Sequence, residues 1–174
     1  DDFQKPRVEV LPVIQGSLFA QGSLNKKQLM RYFRLQADLG ILTKFESEQS
    51  FANVQAQHLD VLSMSKKARD KSKIEVIYLS KIVSLNHSFR DEFTKQKCQH
   101  CLELYYENDL ILYLACYDGD QLKQWMQYIK KAMQFHEWFE NLKAFLAADQ
   151  DKLTEKVALK LGEIIQFVEQ YSSI

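Results

Sequence analysis

The chain has 174 residues, 46% apolar and 26% charged, with 23 basic and 23 acidic side chains and so no formal net charge. That length holds one domain with a real core plus an appendage, and the charge balance provides no global field to draw the protein onto nucleic acid, so any electrostatic partner must be met by a local patch. No apolar run reaches the roughly 18 residues of a membrane span, and the start DDFQKPRVEV lacks the basic and apolar regions of a secretory signal.

Residues 1–12, with Pro6 and Pro12, read as an N-terminal arm, and the lack of an initiator Met points to a piece of a longer chain. VIQGSLFAQG (13–22) is the first strand signal and LMRYFRLQA (29–37) the second. Period-two alternation puts Leu29, Arg31, Phe33 and Leu35 on one face, with Met30, Tyr32 and Arg34 on the other. Asp38, Leu39 and Gly40 then make a tight turn into ILTKFESE, completing a meander. Residues 49–73 form a long polar insertion whose length signals function, a short helix or disorder. Strand signals resume at IEVIYLSKIVSL (74–85), rich in β-branched and aromatic residues, and CLELYY and LILYLACY flank a hairpin turn at 107–109.

At Asp118 the period changes. Asp118 can cap a helix in which Leu122, Trp125, Met126, Ile129 and Met133 form one apolar stripe. Trp138, Phe139, Leu142, Phe145 and Leu146 continue the apolar positions without a Gly or Pro. After AADQD, a last helix over 152–171 has a stripe of Leu153, Val157, Leu161, Ile164, Ile165 and Val168.

Three stretches in order resemble one family. GSLFAQG, with its Gly-x-Leu start, RYFRL, and LELYYENDLILYLACYDGDQLKQWMQYIKKA, with Trp125 in the helix, are similar to the first strand, second strand and closing segment of the pleckstrin homology (PH) superfold. The resemblance covers 13–135. It implies a mainly β fold with α: a seven-stranded bent antiparallel sheet in two orthogonal layers, capped by a helix, with 136–174 as a helical extension. Trp125 would then be structural core.

The resemblance also implies where a ligand would sit. Family members that bind phosphoinositides use a Lys near the end of the first strand and a Lys or Arg two residues before the Arg of the second. Here Arg31 matches the Arg, but Ala20 and Leu29 stand at the other two positions, against a stereospecific clamp. Lys26 and Lys27 in the first loop, with Lys66, Lys67, Arg69, Lys71 and Lys73 in the third, would lie at the same open end. Together with Arg31 they could hold an anionic headgroup or acidic surface, or they could be solvated loop charges.

Cys98 and Cys101 have C-x-x-C spacing, but zinc needs four ligands and no second pair follows; a redox pair would need a βαβ context. Three cysteines in all fit an intracellular, cytoplasmic setting without a disulfide framework. His58, His87, His100 and His136 are scattered with no nucleophile motif, and the glycines form no phosphate loop, so neither enzyme activity nor a cofactor or metal is expected. Trp138, Phe139, Leu142, Phe145 and Leu146 must be covered, either by the last helix folding back or by a protein partner.

These features predict a non-enzymatic targeting or scaffolding module for intracellular signalling. It would touch anionic phospholipid peripherally and bind protein through its C-terminal helices. The alternatives are a pure protein-interaction scaffold without lipid binding, or a regulatory domain of a larger kinase or exchange factor.

Overall fold

The computed structural model describes residues 13–22, 27–89, 98, 100–107, 109–148 and 153–172; the expected arm over 1–12 lies outside them. The strands are β1 (Ile14–Gly22), β2 (Leu29–Gln36), β3 (Ile41–Phe45), β4 (Glu75–Tyr78), β5 (Ser84–Phe89), β6 (His100–Tyr106) and β7 (Asp109–Ala115). All pair antiparallel in one seven-stranded sheet of order β4-β3-β2-β1-β7-β6-β5. β1 belongs to both halves: Ile14 to Ala20 pair with β2, and Phe19 to Gly22 pair with β7. The two edge strands, β4 and β5, are consecutive in sequence.

Alternation decides which side chains meet inside. β1, β2, β6 and β7 each give a two-residue repeat to one buried cluster, among them Leu18, Phe33, Leu104 and Leu114, and β3, β4 and β5 add one residue each, Leu42, Ile77 and Leu85. The face expected for Arg31, Phe33 and Leu35 is this inner face. The run 74–85 is not one strand, however. A 3-10 turn at Leu79–Lys81 breaks it, because the chain must cross from one layer to the other there. Leu79 and Ile82 turn into the core at this corner. The Leu79 N–H donates to the Gly40 carbonyl at 2.9 Å and the Val83 N–H to that of Tyr105 at 2.8 Å, tying the corner to both layers.

Helix α3 (Gly119–Ala148) closes the open side of the bent sheet. The Asp118 carboxylate accepts from the Asp120 N–H at 2.9 Å, the expected N-cap. Leu122, Trp125, Ile129 and Ala132 are buried in the main core. Trp125 lies over Gly16, where an added Cβ would sit 3.6 Å from its Cζ2. The mainly β, PH-like fold rests on this strand order, the shared β1 and the helix that plugs the core.

The insertion between β3 and β4 folds into α1 (Glu48–Ala56), a 3-10 turn (Val61–Ser63) and α2 (Lys66–Lys71). Each begins at a side-chain cap: Ser47 accepts from Ser50 N–H, Asp60 from Leu62 N–H, and Ser65 from Ala68 N–H. The segment covers the outer face of β2 and β3, where Tyr32, Phe45, Phe51 and Ile74 form a second buried cluster.

α4 (Leu153–Ser172) folds back along α3 as an antiparallel hairpin. Phe167 meets Phe135 and Trp138 with ring centroids 6.0 and 5.6 Å apart, and Lys131 Nζ donates to the Gln170 carbonyl at 3.2 Å. The expected limit between 135 and 136 falls inside the continuous α3. Ile164 and Phe167 face α3, whereas Leu161 and Ile165, expected in the same stripe, are 47% and 58% exposed.

Candidate functional site

The same alternation that fills the core also builds its mouth. Arg31 lies two residues before Phe33 on β2, Lys44 two beyond Leu42 on β3, and Glu75 two before Ile77 on β4. Tyr106 lies two beyond Leu104 on β6. All four project from the inner face where the apolar residues end, and all line an open groove of about 820 Å3. The sheet edge and α2 supply the rest of its wall.

α2 sorts its cations by helical period. Lys66, Arg69 and Asp70 recur at i, i+3 and i+4 and line the groove, and Lys73, just past the helix end, joins them; Lys67 and Lys71 fall on the other side of the helix, exposed and outside the groove. Lys81, from the corner turn, completes the set, with its ammonium 5.3 Å from the centroid of the Tyr78 ring. Six cations thus face two carboxylates along the groove, a local positive patch on a chain with no net charge.

Some of this charge is already engaged. Lys44 forms an ion pair with Glu75. Lys73 Nζ lies 2.7 Å from Glu46 Oε1, and this bond is the main cause of the lowered Glu46 pKa. Arg31 Nη1 donates to the Met30 and Glu46 carbonyls at 3.0 and 3.4 Å. Among the described residues, Lys66, Arg69 and Lys81 make no ion pair. Tyr106 is held neutral, its pKa pushed up to about 12 chiefly by burial, with a hydrogen bond to the Tyr78 backbone acting the other way and Glu75 adding to the rise.

The backbone at Lys73 is unusual. It closes α2 in the left-handed region, at φ 54. The Ile74 N–H donates to the Arg69 carbonyl at 2.9 Å and the Lys73 N–H to that of Asp70 at 3.1 Å. This is a Schellman motif with Lys where Gly is usual. It fixes the exit of α2 and sets the stem of Lys73 beside the groove.

Of the eight cations expected to form the patch, the structure brings Arg31, Lys66, Arg69 and Lys73 together. Lys67 and Lys71 lie apart from them, Lys27 is exposed outside the groove, and Lys26 lies outside the described residues. Lys44, Lys81 and Tyr106 were missed. Lys44 was legible in principle, since alternation from Leu42 places it at the mouth. Lys81 was not, because it sat within an apparently continuous strand. Ala20 is buried in the core, and Leu29 is 38% exposed.

The other candidates fall elsewhere. Cys98, Cys101 and Cys116 are buried, and burial raises the Cys98 and Cys116 thiols, which makes both weaker nucleophiles. Cys116 Sγ donates to the Asp118 carbonyl, and Cys101 is the second residue of β6. Among the described residues, no group of three or more His, Cys, Asp or Glu side chains could hold a metal. No helix there is long and apolar enough to cross a membrane. Trp138, Phe139 and Leu142 are half-buried: Trp138 packs on Phe167, Phe139 stacks on Phe135, and Leu142 lines a small cleft with Ile164. The side chains of Phe145 and Leu146 lie outside the described residues.

No protein-family model matches the chain, and no curated protein does. Among solved structures it is similar to the PH domain of human oxysterol binding protein-related protein 11, at 18% identity and TM-score 0.46, over 72% of this chain and 82% of that one. It is also similar to the PH domain of ArhGAP27, at 16% identity and TM-score 0.44, over 70% and 99% of the two chains. A third structure, an activated truncation of Vav1, has 12% identity and TM-score 0.43, and the match covers 76% of this chain and 29% of that one.

Proposed function

We propose that this PH-like chain is a non-catalytic targeting module that holds an anionic surface in the groove between β2, β3, β4 and α2. One observation carries the reading: Arg31, Lys44, Lys66, Arg69, Lys73 and Lys81 converge on a single open groove. Phosphate-bearing headgroups need several converging donors, and each cation near an anionic membrane contributes about 1 kcal/mol. The groove is open and two of its lining side chains, Asp70 and Glu75, are carboxylates, which favours a charged surface over one tightly enclosed headgroup. The lipid would be a phosphatidylserine or phosphoinositide leaflet, met peripherally from the cytoplasmic side.

Sedimentation with vesicles tests this, using phosphatidylcholine alone and with added phosphatidylserine or phosphoinositide, at about 0.1 M salt, where charges beyond roughly 10 Å are screened. Binding should require the anionic lipid and fall on Lys66→Glu with Arg69→Glu. Lys67→Glu with Lys71→Glu reverses the same charge on the same helix, away from the groove, and should weaken binding much less. Equal loss in both pairs would remove the groove as the site. No binding of the wild-type chain to either anionic vesicle would remove the lipid reading.

A second reading, a scaffold held in a protein assembly without lipid, is favoured by α4. Leu161 and Ile165 lie one turn apart on its exposed side. A partner could use that side with the hairpin closed, whereas Trp138, Phe139 and Leu142 would become available only if α4 moved away.

A further inference from the structure

We propose a second binding site on the opposite face of the β2–β3 sheet, for a small carboxylate carried on an aliphatic or aromatic group. The insertion fits closely over Tyr32, where Phe51 stacks at 4.9 Å, and Phe51 meets Phe45 edge-on at 5.1 Å. Toward Arg34 and Gln36 it stands off, leaving a cleft of about 280 Å3. Phe45, Phe51, Val54, Leu59 and Val61 give it apolar walls.

Arg34 is the reason to expect an anion there. Its guanidinium stacks 5.6 Å from the centroid of the Phe51 ring, and its Nε is buried without a hydrogen-bond partner. Among the described residues it makes no ion pair. Thr43, its cross-strand partner in the β2–β3 register, is 1% exposed and does not itself line the cleft. A buried donor left unpaired is costly, and a bound carboxylate accepting from the Arg34 guanidinium would give it a partner. Asp60 on the rim does not fill the role. Its two oxygens accept from Leu62 N–H and Ser63 Oγ, both at 3.0 Å, where they cap the 3-10 turn.

The size and charge of the cleft define the occupant. Its volume is just below the roughly 300–1,000 Å3 of sites for drug-sized ligands, so it takes one phenyl- or isobutyl-sized group. A single guanidinium beside the fixed charge of Asp60 suits a monoanion better than a phosphate, which needs several donors. The same chemistry occurs in a free carboxylic acid and in the apolar C-terminal residue of a peptide.

The test is a titration of the full chain, followed by amide and Arg34 Nε–H nuclear magnetic resonance shifts, with 3-phenylpropionate and with N-acetylglycyl-phenylalanine. The amide of each acid serves as its neutral control. The acids should shift Arg34, Thr43, Phe51 and Val54, and the neutral amides should bind about tenfold or more weakly, the loss expected for a charge-assisted hydrogen bond. Arg34→Gln should erase that preference. Val54→Phe, which fills the cleft and leaves Arg34 in place, should abolish binding while the amide shifts of residues away from the cleft stay those of wild type, which shows that the variant is folded. Binding of phenylpropionate alone assigns a free acid, and binding of the dipeptide assigns a peptide C-terminus. Neither probe binding, acid and amide binding equally, or Val54→Phe binding like wild type overturns the proposal.

Discussion

Lys44 and Glu75 face each other in the β3–β4 register and form an ion pair where the inner face of the sheet opens into the basic groove. Glu75 therefore occupies a cation that an anionic ligand would otherwise use, and it places negative charge on the wall. Glu75→Gln should strengthen binding to anionic vesicles roughly fivefold, the equivalent of about 1 kcal/mol for one charge near a membrane surface. Unchanged or weaker sedimentation of Glu75→Gln would mean that the ligand does not approach Lys44.

Lys73 separates stability from binding. A non-Gly residue in the left-handed region costs about 1–2 kcal/mol, while Gly loses about 0.5–1 kcal/mol more than other residues on ordering. The exposed Lys73–Glu46 pair is screened by solvent and adds little. These contributions nearly cancel, so Lys73→Gly should leave the urea unfolding midpoint close to that of wild type. Vesicle binding should nonetheless weaken severalfold. A large drop in midpoint would show that the strain at φ 54 is offset by contacts other than this ion pair.

Gly40 and His136 form the link between the β2–β3 turn and α3. Gly40 has φ +65, and a Cβ there would sit 2.4 Å from His136 Nδ1, inside van der Waals contact with a ring rather than a flexible chain end. Gly40→Ala should destabilise the protein by about 2 kcal/mol or more, combining the left-handed backbone with the clash. His136→Ala opens the space, so the double variant should be less destabilised than the sum of the two singles. Additive effects in this cycle would mean that the backbone angle alone requires glycine.

The sheet and closing helix were legible because their signals are long and periodic. Alternation in LMRYFRL placed Phe33 and Leu35 inward, and the stripe through Trp125 and Ile129 identified the face of α3. The insertion was harder to read. α1 buries Phe51 alone and α2 buries none of its residues, too few apolar positions for a helical period to stand out. Its caps, Ser47, Asp60 and Ser65, are single residues that occur equally well in loops. The basic patch was legible as composition but not as geometry. Only once α2 is known to be helical does the period divide Lys66 and Arg69 from Lys67 and Lys71, and only its left-handed close sets Lys73 beside the first pair. Lys44 and Glu75 look like ordinary strand polarity until the core is seen to end beside them.

Tyr106 gives the groove a signature in alkaline solution. In an unfolded chain its phenol would ionise near pH 10, whereas burial holds it at about 12 in the folded protein. Below about pH 10 both states keep the proton and the residue adds no pH dependence. Between the two values the unfolded chain binds fewer protons, so stability falls as pH rises through that window. Tyr32, whose pKa is also raised by burial, acts with the same sign. Tyr106→Phe should therefore reduce, without abolishing, the alkaline fall in the urea midpoint. Glu75 contributes to the rise at Tyr106, so Glu75→Gln should bring its ionisation closer to the ordinary tyrosine value. Ultraviolet titration of tyrosinate in wild type, Glu75→Gln and Tyr106→Phe would measure both effects. A late-ionising tyrosine that is indifferent to Glu75→Gln would place the carboxylate too far from Tyr106 for the two to share one groove.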